Sequence, residues 1–309
     1  MTQPETQQVP QAQERARTAG ATAPDAAPKV EDARVSVVVM SRDRRDDLAA
    51  SMRRHRAPVV FVDNASADGS PEVVRRVRPD ARVVRLRENR GAVARNVGVR
   101  EAATPYVAFA DDDSWWAPGS LCAAADLLDA HPRVAVVQAR VLVGPQERED
   151  SFMAVLRDSP LERGSLPGPR LLGFVACGAV VRRTAFLDAG GFDPAVPFPG
   201  EEEVLTLRLA GLGRAVVYAD HLVAHHHPAT SRHSPDARRR AVARSALTSA
   251  LLLRPWRVVG ARLRASLAAG GRHHLAAALP TARQAVSALR RRRRLPAAVE
   301  RDLRVVGQG

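Results

Sequence analysis

Long apolar runs are missing from this sequence. The two best candidates, Leu171 to Val181 and Ser245 to Leu253, stop at Arg182 and Arg254. Both fall well short of the roughly 20 residues that a membrane-spanning helix needs. Cysteine is scarce: Cys122 and Cys177 lie far apart in apolar surroundings, which excludes a disulfide scaffold and predicts a reduced, cytoplasmic protein. Lysine is nearly absent, Lys29 being the only one, so part of the arginine content is compositional habit. The N-terminus has no basic start followed by an apolar core, and no signal peptide is expected. A Walker-type loop, GxGxxG, GxSxG and zinc-type Cys/His spacing are all lacking, which sets aside the nucleotide-loop, hydrolase-elbow and zinc readings those motifs would carry.

What is there suits a globular chain: 309 residues, 45% hydrophobic and 26% charged. These proportions exclude collagen, coiled coil and wholesale disorder, and the length supports one large domain or two small ones. The net charge of +14 is unevenly placed. Up to His227 there are 29 Lys and Arg against 30 Asp and Glu; from Pro228 onward, 18 Arg face 3 acids. A neutral body therefore carries a strongly basic C-terminal extension.

Residues 1–33 are Gln, Ala, Pro, Thr and Glu without apolar periodicity and read as a disordered leader. Order is expected from Val35, where Val35 to Met40 forms a short β-branched run suited to a buried strand. Similar runs recur at Val59–Val62, Val83–Leu86, Tyr106–Ala110 and Val134–Val137, with helix-like stretches between them at Arg45–Arg54, Pro71–Arg78, Ala92–Ala103 and Pro118–Ala130. Alternation of this kind predicts a parallel sheet covered on both faces. Further on, Phe174–Val181 reads as a strand, and Arg183–Ala189 and Glu201–Ala210 as helices. Residues 228–309 read as amphipathic helices interrupted at Pro255, Gly270-Gly271, Pro280 and Pro296.

Several polar constellations stand at the ends of these strands, where open α/β sheets place their ligand crevice. Asp63-Asn64-Ala65-Ser66-Ala67-Asp68-Gly69-Ser70 offers a carboxylate to the imide N–H of a uracil or thymine ring, or simply a tight turn capping the next helix. Asp111-Asp112-Asp113 packs three mutually repelling carboxylates, which a hard cation such as Mg²⁺ or Mn²⁺ would relieve; the alternative is an acidic surface turn. Around Asn89, Gly91, Arg95 and Asn96 a helix start could face a phosphate, or be an ordinary loop and solvated side chains. Glu201-Glu202-Glu203 opens a helix whose dipole favours acids in any case. His225-His226-His227 is either a source of a metal ligand or a surface run.

In this order, the segments resemble the family 2 glycosyltransferases of GT-A fold, over about Val35 to His227. Val62 to Ser70 reproduces the family's Val-Asp-Asn-x-Ser-x-Asp-Gly-Ser, and Asn89 to Gly98 its Asn-x-Gly and Arg-Asn-x-Gly. Asp111-Asp112-Asp113 stands for its Asp-x-Asp, and Cys177-Gly178, Arg182-Arg183 and Gly190 to Asp193 for its small-Gly, Arg-Arg and Gly-Gly-Phe-Asp segments. The first strand departs from the family's Thr-Tyr-Asn-Arg, ending Ser41-Arg42-Asp43-Arg44.

The resemblance implies an α/β fold: a GT-A, Rossmann-like mixed sheet flanked by helices over residues 34–227, followed by a helical basic extension over 228–309. It implies an inverting transfer of a sugar from a UDP- or dTDP-type donor to an acceptor hydroxyl, assisted by a divalent cation. Asp63 would bind the base, with Ser41 and Arg44 bordering the pocket. Asn64, Asp68, Asn89, Gly91, Arg95, Asn96, Asp111 and Asp112 would complete the donor site. Asp111, Asp113 and His225 would hold the cation, Mg²⁺ or Mn²⁺. The family's Glu-Asp pair, anchored on Leu205 and Arg208, falls on Glu201 and Glu202, which makes Glu202 the expected general base.

Expected partners are the nucleotide sugar and a sugar or lipid-linked acceptor, with the basic extension at an anionic membrane at the inner face. Nucleic acid is not expected, since Trp256 is the only aromatic of the extension. The competing readings are a catalytically inactive relative, a surface binder acting through the extension, and a sugar-nucleotide synthase. The last would need a glycine-rich, basic loop near the N-terminus, which is lacking.

Overall fold

The computed structural model describes residues 30–196, 198–228 and 235–307. Most of the expected leader, residues 1–29, lies outside the described residues. The fold starts slightly earlier than position 34: Glu31 N–H donates to the Arg56 carbonyl at 2.8 Å. The Arg34 guanidinium ties Asp32 to Asp126, 2.6 Å away on a later helix.

The first half follows the alternation. Strands β1 (Val35–Ser41), β2 (Val59–Asp63), β3 (Arg82–Arg85) and β4 (Tyr106–Ala110) interleave with helices α1 (Arg45–Ser51), α2 (Ser70–Val77) and α3 (Ala94–Glu101). They lie side by side in the order β3-β2-β1-β4, all parallel. Both faces are covered, which is why β1 and β2 are apolar at nearly every position rather than at alternate ones. Val37, Val39 and Phe61 pack toward α1, α2 and α4 (Ser120–Ala130); Val38, Val60 and Val62 pack on the opposite side with α3. Gly98 lets α3 settle directly on the sheet. A Cβ there would collide with Val38 Cγ1 and crowd Val62 Cγ2 at 3.1 Å.

Beyond β4 the sheet is mixed, as the resemblance implies, so the parallel order read from the alternation holds only as far as β4. The remaining strands are β5 (Ser114–Trp116), β6 (Val134–Val143), β7 (Arg148–Glu149), β8 (Arg170–Leu171), β9 (Ala179–Arg182) and β10 (Ala215–His226). The order continues β4-β9-β6-β10-β5, with β9 antiparallel to both β4 and β6. The expected strand Phe174–Val181 shrinks to β9, because a 3₁₀ turn at Ala176–Gly178 bends the chain first. Gly178 permits that bend: a Cβ would lie 2.6 Å from both Gln138 Nε2 and Val141 Cγ2. Helices α5 (Ser151–Arg157), α6 (Arg183–Asp188) and α7 (Glu201–Gly211) follow in sequence.

The extension forms α8 (Pro235–Leu253), α9 (Trp256–Ala278), α10 (Ala282–Arg290) and α11 (Ala297–Val305). Its breaks fall near Pro255, Gly270-Gly271, Pro280 and Pro296, as expected, with non-helical backbone at both glycines. The helices pack onto the body. Helix α7 sends Leu205 and Leu209 into the sheet core, and Val204 and Leu207 into a separate cluster with Leu252, Leu253, Ala288, Val299 and Leu303. Polar ties reinforce the seam: Arg262 to Glu203 at 2.8 Å, Arg170 to Asp302 at 2.6 Å, and Arg291 to the fully buried Asp193 at 2.9 Å. No described helix is long and apolar enough to cross a membrane.

Candidate active site

Because β1, β2 and β4 run parallel, Ser41, Asp63 and Asp111 emerge together at one edge of the sheet. Asp63 is fully buried at the end of β2. Its Oδ1 accepts from the Ser66 N–H at 3.2 Å; Oδ2 has no hydrogen-bond partner, only the Arg85 guanidinium 3.4 Å away as countercharge. Asn64 braces the neighbouring loop, donating to Asn89 Oδ1 and the Gly91 carbonyl and accepting from the Arg90 N–H. Gly91 stands at φ +58°, where a side chain would be strained.

The three aspartates do not act alike. Asp112 turns back into the domain, accepting from Ser41 Oγ at 2.6 Å and from Arg44 Nε at 3.3 Å. Burial pushes its carboxyl up to about 6, and the like charges of Asp113 and Asp111 add to that against the pull of Ser41 and Arg44. Asp111 pairs with Arg95 at 2.5 Å, and Asp113 lies 3.7 Å from Arg44. Their carboxylates and the imidazole of His226 offer ligand atoms all within 4.8 Å of one another.

The structure brings His226, rather than the expected His225, beside the two aspartates. Successive residues of β10 point to opposite faces. His226 therefore reaches Asp113, with Nε2 3.4 Å from Oδ1, while His225 and His227 turn to Glu147 at 2.7 and 3.3 Å and pack around the Trp115 ring. Burial lowers the pKa of His226, but the Asp113 carboxylate overrides it and holds it above the usual imidazole value. The alternation of a strand is a signal that the sequence carries.

Two further candidates serve architecture. Asn96 donates to the Phe192 carbonyl at 2.9 Å and accepts from the Phe192 N–H at 3.0 Å. This pins the Gly-Gly-Phe-Asp segment against α3. Both carboxylate oxygens of Asp68 are used locally, on the Ser70 N–H and hydroxyl and on the Arg45 N–H, which is the capping alternative.

Arg95 is buried between two walls of the crevice. One nitrogen donates to Asp111 at 2.5 Å and another to Glu201 at 3.3 Å. Burial opposes its charge, but the two carboxylates outweigh that and hold its pKa above the ordinary value. The three glutamates at the start of α7 are thereby told apart. Glu201 is fully buried on Arg95, and Glu203 is held by Arg262 of the extension. Among the described residues Glu202 meets no arginine within ion-pair reach and accepts only a long hydrogen bond, 3.4 Å, from the Ala176 N–H. Burial and the neighbouring Glu201 push it up to about 8. Sequence reasoning misses both the Ala176 contact and the grip of Arg262 and Arg291, since neither leaves a local pattern.

The family model described as Glycosyl transferase family 2 matches residues 36–189. Over 210 residues the chain is 27% identical to an N-acetylglucosaminyl-diphospho-decaprenol L-rhamnosyltransferase of Mycobacterium tuberculosis (strain CDC 1551 / Oshkosh), covering 56% of this chain and 67% of the relative. Among solved structures, a mannosyltransferase from Pyrobaculum calidifontis in complex with GDP-Man and Mn²⁺ superposes with a TM-score of 0.53 at 22% identity, over 92% of this chain and 88% of that one. S. aureus TarS 1–349 gives 0.51 at 18% identity over 71% of this chain, which spans 65% of that structure's length. At such identities these structures bear on the fold, and they share the mixed sheet flanked by helices.

Proposed function

Since the chain belongs to glycosyltransferase family 2 and has the GT-A fold, we propose that it transfers a sugar, with inversion, from a UDP- or dTDP-type donor to a hydroxyl of a lipid-linked acceptor. The observation that carries this reading is the facing of two unlike walls. A base pocket and a cation-ready pair of carboxylates stand at the carboxyl ends of the strands, and Glu202, which no described arginine pairs, stands on α7, with Arg95 between them.

The donor side fits its ligands. The orphaned Oδ2 of Asp63 is a buried acceptor that the imide N–H of uracil or thymine would satisfy. Asp111, Asp113 and His226 supply two hard oxygens and one imidazole nitrogen, a donor set suited to Mn²⁺ and serviceable for Mg²⁺. A divalent cation held there supplies positive charge to the diphosphate of the leaving nucleotide. Arg95 orients Asp111 at 2.5 Å, and Arg44 lies 3.7 Å from Asp113.

On the acceptor side, Glu202 takes the proton of the attacking hydroxyl. The acceptor oxygen forms its bond to the anomeric carbon as the bond to the diphosphate breaks with its electron pair on the phosphate oxygen. A base whose pKa lies near 8 is well matched to that transfer around neutral pH. The curated relative carries the name of a transferase acting on a diphospho-decaprenol acceptor, which supports a lipid-linked acceptor. Release of nucleoside diphosphate, screened over UDP- and dTDP-sugars with Mn²⁺, Mg²⁺ or EDTA, tests the proposal. Turnover confined to one donor and abolished by EDTA is expected; turnover indifferent to EDTA refutes the cation assignment, and none with any such donor refutes the donor class.

A further inference from the structure

The arginines of the extension serve two different purposes. Some belong to its interior. Arg254 is fully buried on Glu300 at 2.9 Å, Arg244 donates to the Ala277 carbonyl, and Arg292 lies over the Trp256 ring while donating to carbonyls at the end of α8. Helix α10 is different. It starts at a capping box on Thr281 and Gln284, so its position is well defined, and it buries only Ala288 fully. Its outward face carries Val286 and Leu289, 47% and 46% exposed, with Leu279 just before it at 44%.

Arg283 and Arg290 stand exposed beside these apolar side chains. Together with Ala282, Val286, Ser287 and Arg291 they line an open concavity of about 520 Å³. Their charge has no answer along this stretch of chain, because not one carboxylate occurs between Asp236 and Glu300. Arg291 alone in this group spends its guanidinium inward, on Asp193.

We propose that this face of α10 docks the protein on an anionic phospholipid bilayer. Val286, Leu289 and Leu279 enter the headgroup–acyl boundary while Arg283 and Arg290 take lipid phosphates. An exposed apolar stripe edged by arginines is the composition of a helix lying in an interface, and guanidinium forks match phosphate oxygens. The two-sidedness of the extension gives the contact a direction. The end of α10 is itself tied to the body: Arg291 reaches the buried Asp193, which pairs with Arg208 of α7, so the acceptor wall is held at a fixed distance from the membrane. The proposal stands on the extension alone and survives or fails independently of the donor chemistry.

Co-sedimentation of the full chain with phosphatidylcholine vesicles, with and without phosphatidylglycerol, tests it. Binding is expected only with phosphatidylglycerol and is expected to weaken with salt. R283A/R290A should bind about 25-fold more weakly, from roughly 5-fold per arginine near such a surface. V286S/L289S should also bind less, and both variants should keep wild-type melting curves and nucleoside diphosphate release. Equal binding to both vesicle types, or wild-type binding by both variants, overturns the proposal. Displacement of the protein by millimolar inorganic phosphate at constant ionic strength overturns it too, since it would mean a free-phosphate site.

Discussion

If Glu202 is the base proposed above, replacing it by Gln should separate function from stability. The substitution keeps size and hydrogen-bonding capacity and removes the charge. Turnover should fall by ~10²–10⁴ with donor affinity nearly intact, the usual loss for a positioned base. Stability should move the other way. In the unfolded chain this carboxyl ionises near 4.5, whereas in the fold burial and Glu201 defer ionisation to about 8. The folded state thus holds the proton longer. Its advantage is complete below pH 4.5, shrinks as pH rises, and is gone above about 8. Over that interval the wild type should lose about 5 kcal/mol through this group. E202Q should lack this part of the slope and be the more stable protein at about pH 9. Urea unfolding from about pH 5 to 9, alongside pH–rate profiles, measures both. The wild-type rate should climb with pH and level near 8, and E202Q should be flat. An unchanged stability slope in E202Q would mean that Glu202 ionises normally, and E202Q with wild-type turnover would pass the role of base to Glu201 or Glu203.

Among the other expectations, H226Q and D113N should each weaken Mn²⁺-dependent donor binding by more than ~10-fold, a loss typical even of outer-shell partners, while H225Q leaves it near wild type; calorimetric titration compares the three. Asp193→Ala strands Arg208 and Arg291 around an empty buried position and should cost about 3–5 kcal/mol in urea unfolding. Gly98→Ala forces α3 off Val38 and should cost ~1–3 kcal/mol, read as a lowered Tm without change in donor specificity.

Much of the donor half is legible in the sequence, because its signals are local. A strand buried on both faces must be apolar at nearly every position, as in Val35 to Met40. Turn chemistry must follow it, as at Asp63 to Ser70, and the run of carboxylates at Asp111 to Asp113 marks the strand end where two of them meet His226. The same locality explains the helix breaks of the extension at Pro255, Gly270-Gly271 and Pro280. What the chain pairs across distance is hidden. Insertion of β9 between β4 and β6 joins residues 41 to 76 positions apart, and no period records it. Asn96 and Asp68 read as ligand contacts, since a polar side chain has the same spelling whether it meets a nucleotide or the chain's own backbone. Glu201, Glu202 and Glu203 are identical in sequence. Only the arrival of Arg95 from α3 and Arg262 from α9 decides which of them stays uncompensated, and a carboxyl's pKa depends on the charges that tertiary packing brings beside it. The pleat of β10 against β5 selects His226 over His225, and the extension is part of the body because α7 has a second apolar side that only further helices could cover.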